Sequence, residues 1–261
     1  MDNDLIITTI VSVTDVGLVR ANNEDCLLIS DPYTGQYLGE NLQLNYPSAD
    51  NRLMLVVSDG MGGAEAGEVA SRTVVAVFEE AAGAGELPVP LESTVQKANA
   101  RIYAMAKENP TLKGMGCTTT ASYAADGRLT TAHVGDSRLY RLRGGSLEQL
   151  TEDHSLVGGL VRLGQLTPEE AEVHPQRSVI LRAVGVEANL EVDILNHELA
   201  PGDVYLACSD GLSGMVRDEV IGETLATFPS LAEAAEMLIE LANTAGGRDN
   251  ITVVLFRIGL S

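Results

Sequence analysis

Three apolar runs that each lead into an aspartate constrain this chain more than any other feature of its sequence. Leu53-Met-Leu-Val-Val-Ser runs into Asp59, Leu129-Thr-Thr-Ala-His-Val-Gly into Asp136, and Val204-Tyr-Leu-Ala-Cys-Ser into Asp210. Short runs rich in Val, Leu and Thr and bounded by turn residues read as buried strands. Asp249 stands the other way round, just before Ile251-Thr-Val-Val-Leu-Phe, and Glu24 and Asp25 precede Cys26-Leu-Leu-Ile-Ser. Carboxylates gathered by buried strands repel one another and lose hydration, so they must either take up protons or hold cations. Cations are the reading adopted.

The acids fall in five motifs: Asn23-Glu24-Asp25, Ser58-Asp59-Gly60-Met61-Gly62-Gly63, Val134-Gly135-Asp136-Ser137-Arg138, Cys208-Ser209-Asp210-Gly211 and Gly246-Gly247-Arg248-Asp249-Asn250. With Gly114-Met115-Gly116-Cys117-Thr118-Thr119 between the second and third, this ordered series resembles the metal-dependent Ser/Thr protein phosphatases of type 2C in their bacterial form. The resemblance runs from Thr14-Asp15-Val16-Gly17-Leu18-Val19-Arg20 to Gly247-Arg248-Asp249-Asn250-Ile251-Thr252-Val253. It implies an α-β-β-α sandwich of two antiparallel sheets flanked by helix pairs, where periodicity alone supports only α+β.

The resemblance also implies a site. Asp59 would bridge two ions, Asp210 and Asp249 would complete the first, and Glu24 and Asp25 would hold water on the second. The glycines after Asp59 let the backbone turn so that the Gly60 carbonyl joins it. Asp136 matches a ligand for a third, weaker ion, with a turn aspartate capping backbone amides as the alternative. Arg20 matches a phosphate-binding arginine, a task that suits a bidentate guanidinium, although an arginine after a strand is commonly a solvated surface residue. Hard oxygen ligands without His or Cys favour Mn²⁺ or Mg²⁺. Two such ions sharing a water would hydrolyse phosphoserine and phosphothreonine by in-line attack, without a phosphoenzyme, in opposition to a bacterial Ser/Thr kinase. One position departs from the family pattern: many relatives have a histidine after Gly-Met-Gly-Gly, and this chain has Ala64. The proton for the leaving group must then come from elsewhere, with the Asp136 site as the candidate. A non-catalytic metal-binding module and a hydrolase of small phosphoesters are the competing classes.

Composition narrows the partners. The formal net charge of -20 argues against nucleic acid, which needs a basic face. Cys26, Cys117 and Cys208 are odd in number and lie inside apolar runs, as expected of buried reduced thiols. No run approaches spanning length and Met1-Asp2-Asn3-Asp4 lacks a signal-peptide charge, so a cytoplasmic monomer away from membranes is expected. Its partners would be phosphorylated proteins.

One domain over 1–261 is expected. Strands read over Leu5 to Thr14 and Cys26 to Ser30, and the stretch from Asp31 to Arg52 reads as an extra hairpin or a surface loop. Helical spacing marks Ala64 to Ala82 and the segment from Val95 to Ala106. Asp126-Gly127 and Gly144-Gly145 join strand pairs as tight hairpins. A helical excursion at about 151–185 carries a capping box at Thr167 to Glu170, and Ser230 to Glu233 reads as a second box opening a helix to about Thr244. The excursion holds Arg162, Arg177 and Arg182, which makes it a candidate contact for protein substrates. Gly60 to Gly67 fails both nucleotide-loop patterns, because Glu65 and Glu68-Val69 stand where glycine and Lys-Ser/Thr are needed. His133 reads as a core strand residue, His154 as a loop residue beside the excursion, and neither they nor His174 and His197 show ligand spacing.

Overall fold

A computed structural model describes residues 5–32, 34, 36–38, 42–45, 52–62 and 66–260. In chain order the strands are β1 (Leu5–Asp15), β2 (Asp25–Asp31), β3 (Gln36–Tyr37), β4 (Gln43–Asn45), β5 (Leu53–Met61), β6 (Gly116–Cys117), β7 (Thr119–Ala125), β8 (Arg128–Val134), β9 (Arg138–Arg143), β10 (Ser146–Gln149), β11 (Asp193–Glu198), β12 (Val204–Cys208) and β13 (Ile251–Leu260). The helices are α1 (Ala66–Gly83), α2 (Leu91–Glu108), α3 (Leu156–Arg162), α4 (Pro168–Glu172), α5 (Asp210–Ser213), α6 (Asp218–Thr227) and α7 (Leu231–Thr244).

One sheet runs β10-β9-β12-β13-β1-β4 and the other β11-β8-β7-β5-β2-β3, with β6 paired to β5. Successive side chains of a strand point to opposite faces, so a strand covered on both faces must be apolar throughout. β5 shows this directly. Leu53, Leu55 and Val57 point into the layer between the sheets, while Met54 and Val56 pack toward α1 and α2. Along β13, Val254, Phe256 and Ile258 enter the same central layer, and Val253 and Leu255 pack with α6 and α7. Three stacked cores result, and the chain is an α-β-β-α sandwich.

The helices bury one stripe each. α1 turns Ala70, Val74, Val77 and Phe78 inward, and α7 does the same with Leu231, Ala234, Leu238 and Ala242, each at helical spacing. Tight turns fix the strand registers. Asp126 and Gly127 have φ of 49° and 73°, and Gly144 and Gly145 have 59° and 83°, the paired positive angles of a two-residue hairpin.

The excursion contains α3, capped by Ser155, and α4, where Thr167 and Glu170 form the expected reciprocal box. At α7 only one half of the expected box forms, the Glu233 amide donating to Ser230 Oγ at 3.4 Å. From the 31–52 stretch, β3 pairs with β2 and β4 with β1; Tyr33, Gly35, residues 39–41 and 46–51, and Ala64 lie outside the described residues. None of the three cysteines is in a disulfide; Cys117 and Cys208 are buried and Cys26 is half-buried. Among the described residues no helix is long and apolar enough to cross a membrane.

Candidate metal centre

The acidic residues meet at one end of the sandwich, where strands of both sheets begin or stop. Asp25 opens β2 and lies directly across from Asp59 of β5. β5 continues past Asp59 because Gly60 and Met61 pair with Cys117 and Gly116, so Asp59 is inside its strand and not after it. Asp136 follows β8 through the Gly135 turn, Asp249 precedes β13, and Asp210 opens the short α5 two residues beyond β12.

Side chains from the surrounding motifs hold this arrangement. Asp25 Oδ2 accepts from Ser209 Oγ and Thr252 Oγ1, both at 2.7 Å, which ties a carboxylate of one sheet to two hydroxyls of the other. The Thr118 amide donates to the Asp59 carbonyl at 2.9 Å. Thr118 Oγ1 accepts from the Asp59 amide at 2.9 Å and lies 2.7 Å from Ser137 Oγ, linking Asp59 to the Asp136 turn. Asn250 Oδ1 accepts from the Glu24 amide at 2.8 Å, and its Nδ2 donates to the carbonyls of Val16 and Asn22. One asparagine thus anchors the loop that carries Arg20 and Glu24.

The electrostatics are those of crowded, dehydrated acids. Burial, reinforced by the neighbouring aspartates, pushes the Asp25 carboxyl up to about 7 and that of Asp136 up to about 8. The same causes hold Asp59 well above the usual carboxylate range and raise Asp210. Burial also raises Glu24. Asp25 Oδ1, Asp136 Oδ1 and Asp210 Oδ1 are buried without a hydrogen-bond partner. Such orphaned acceptors cost stability unless something positive reaches them.

These residues fit hard divalent cations. A Cβ on Gly67 would collide with Glu24 Oε2 and stand 2.9 Å from the Gly60 carbonyl oxygen, so two oxygens converge over a bare glycine at the start of α1. Among the described residues no three acidic, His or Cys side chains close on one point. The donors are instead spread along the end of the sandwich, an arrangement in which each ion takes few carboxylates and fills its shell with carbonyl oxygen and water.

A family model described as protein phosphatase 2C matches residues 43–251. The chain belongs to the protein phosphatase 2C family. Its similarity to the serine/threonine protein phosphatase PstP of Mycobacterium tuberculosis is 44% identity over 245 residues, which is 93% of this chain but 43% of that relative's length. The serine/threonine phosphatase stp of Listeria monocytogenes is 39% identical over 93% of this chain and 92% of its own. Among solved structures, the catalytic domain of PstP in complex with two manganese ions superposes with a TM-score of 0.81 at 39% identity, covering 98% of this chain and all of that one.

In this family member Arg20 is half-exposed, and its Nη2 lies 2.6 Å from Asp249 Oδ2. Leu18 and Val19 beside it are also exposed. In the excursion, Arg162 and Arg177 face solvent, whereas Arg182 turns inward to Asp193 Oδ1 at 2.6 Å. Sequence reasoning did not single out Gly67, Thr118, Ser209 or Asn250 for a role, although all lie within or beside its motifs. His133 lies buried in β8, as expected of a core strand residue, and the fold places its ring 4.9 Å from that of His154.

Proposed function

We infer that this chain is a protein serine/threonine phosphatase that uses two divalent cations, Mn²⁺ or Mg²⁺, to hydrolyse phosphoserine and phosphothreonine without a phosphoenzyme. The observation that carries the reading is the gathering of Asp25, Asp59, Asp210 and Asp249 along one end of the sandwich, close enough that their charges add to burial in raising the carboxyls of Asp25, Asp59 and Asp210. The buried Oδ1 atoms of Asp25, Asp136 and Asp210 are unpartnered, and Arg20 stands at the rim. Asp59 and the Gly60 carbonyl, with Asp25, Asp210, Asp249 and Glu24, would hold the cations, and Asp136 a third, weaker one. When bound, two such ions polarise the phosphoryl group and supply a strong nucleophile at neutral pH.

The protein's own part is placement. Ser209 and Thr252 fix the Asp25 carboxylate, and Thr118 fixes the Asp59 backbone. Arg20, carried on a loop pinned by Asn250, meets the substrate phosphate with a half-exposed guanidinium. Exposed Leu18 and Val19 would touch the residues on either side of the phosphorylated one, and Arg162 and Arg177 of the excursion the wider protein surface. Such an enzyme works against a Ser/Thr kinase on shared substrates.

Phosphate release from phosphothreonine peptides, with and without Mn²⁺ after chelation, tests the reading. Activity should vanish in chelator and return with Mn²⁺. Full activity in chelator, or turnover of small phosphoesters with none of phosphopeptides, would overturn it.

A further inference from the structure

The Asp136 turn and the strand residues beside it are bonded to three consecutive residues at the start of the excursion, Glu152, Asp153 and His154. His133 Nε2 lies 3.0 Å from the Glu152 carbonyl. Arg138 grips the Asp153 carboxylate through Nε at 2.9 Å and Nη2 at 2.8 Å. Gly135 and His154 bond each other in both directions, the His154 amide donating to the Gly135 carbonyl at 2.7 Å and the Gly135 amide to His154 Nδ1 at 3.1 Å.

The far end of the excursion returns to the same histidine. The Leu181 amide donates to the His154 carbonyl at 2.7 Å. His154 Nε2 lies 3.1 Å from Asp193 Oδ2, whose other oxygen takes Arg182 Nη1. The tautomer follows from these partners. A backbone N–H can only donate, so Nδ1 is bare and Nε2 carries the ring proton, which it gives to Asp193. Arg182 Nη1 also approaches Nε2 at 3.1 Å, but two donors cannot bond, so Asp193 is their shared acceptor. Burial lowers the His154 pKa, in keeping with the neutral ring this pattern needs.

Two features make the Gly135 peptide depend on that ring. Gly135 has φ +112° and a Cβ there would stand 2.6 Å from Thr118 Cβ, so the residue has no side chain of its own to set its orientation. Asp136 Oδ1 has no protein partner, and the carboxylate takes a hydrogen bond from its own backbone amide, so its direction follows the backbone of the turn.

We propose that His154 is a positioning residue whose ring couples the base of the excursion to the Gly135 peptide and thereby aims the Asp136 carboxylate. The inference rests on the proposed phosphatase reading of Asp136, and it predicts that the two ring nitrogens have separable roles. In His154→Asn the amide oxygen falls near the place of Nδ1 and keeps an acceptor for Gly135. In His154→Gln the amide reaches toward Asp193 and leaves Gly135 without one.

The experiment compares both variants with the intact chain by hydrogen exchange at the Gly135 amide and by kcat and KM on a phosphothreonine peptide with Mn²⁺. For His154→Gln, Gly135 exchange should speed up and kcat fall about tenfold with little change in KM, the scale of lost outer-shell partners, while His154→Asn stays within about threefold of the original. Equal losses in both variants would show a merely structural histidine and overturn the proposal. Slow Gly135 exchange in His154→Gln would overturn it as well, and that arm needs no catalysis. An original chain that releases no phosphate from any phosphopeptide, with exchange changing as expected, would refute the phosphatase reading and leave the coupling standing.

Discussion

Arg20 Nη2 lies 2.6 Å from Asp249 Oδ2, so the cation expected to grip substrate phosphate rests on a carboxylate expected to hold metal. Both side chains are partly open, at 48% and 32% exposure, and an ion pair this wet contributes at most about 1 kcal/mol. Phosphate can therefore take the guanidinium over at small cost. Arg20→Ala should raise KM for phosphopeptides about tenfold while kcat falls less, the pattern of a contact made equally in the ground and transition states. Steady-state kinetics at saturating Mn²⁺ check this. An unchanged KM would place the phosphate elsewhere.

Asp210 is half-buried with a buried, unpartnered Oδ1, and its carboxyl is raised by desolvation and by Asp249. Asp210→Asn removes repulsion that the metal-free protein must bear. In chelator the variant should melt higher, and a gain of about 1 kcal/mol would appear as roughly 2–4 °C in a chain of this size. With Mn²⁺ the order should reverse, because the original chain gains stability from the bound ion and the variant does not. Its turnover should fall by at least the ~100-fold that even outer-shell changes can cause. Thermal melts with and without Mn²⁺ decide between this and a purely structural aspartate.

The sequence has Ala64 where many relatives have a histidine, and Asp136 is the buried acid that motif order assigns to the site. An alkoxide needs its proton far more than a nitrophenolate does. Asp136→Asn should therefore lower kcat on phosphoserine peptides much more, by about tenfold or beyond, than on p-nitrophenyl phosphate. The ratio of the two losses is the measurement. A ratio of one would mean that Asp136 assembles the site without serving the leaving group.

His133 is held well below its ordinary 6.5, down to about 4, mainly by burial and next by His154. A group whose folded pKa is depressed in this way favours the folded state above the unfolded pKa and loses that contribution as pH falls toward the folded one. The full difference is worth about 3 kcal/mol between about pH 7 and pH 4. The raised aspartates act with the opposite sign over the acid range, so the original chain alone would show only the sum. His133→Gln isolates the histidine, and its stability should decline less steeply than the original's as pH falls through that window. Parallel curves from denaturant titrations would assign the acid sensitivity to other groups.

The sequence by itself determined the strands and helices whose pattern is local. The runs at Leu53 to Val57 and Ile251 to Phe256 announce strands buried on both faces, the period through α1 announces its buried stripe, and Asp126-Gly127 and Gly144-Gly145 announce hairpins that need positive φ. β11 and α6 gave no such signal. β11 is a short edge strand with the mixed sequence Asp-Ile-Leu-Asn-His-Glu, and α6 begins without a side-chain cap at Arg217. At the site, the motifs named the carboxylates, but only tertiary structure decided which groups meet: Asp25 opposite Asp59, Ser209 and Thr252 on Asp25, the ring of His154 against the Gly135 peptide. Strand register and the stacking of two sheets set those contacts between residues far apart in the chain. Local propensity carries no information about either, because a residue's periodicity says which face it lies on and not what faces it.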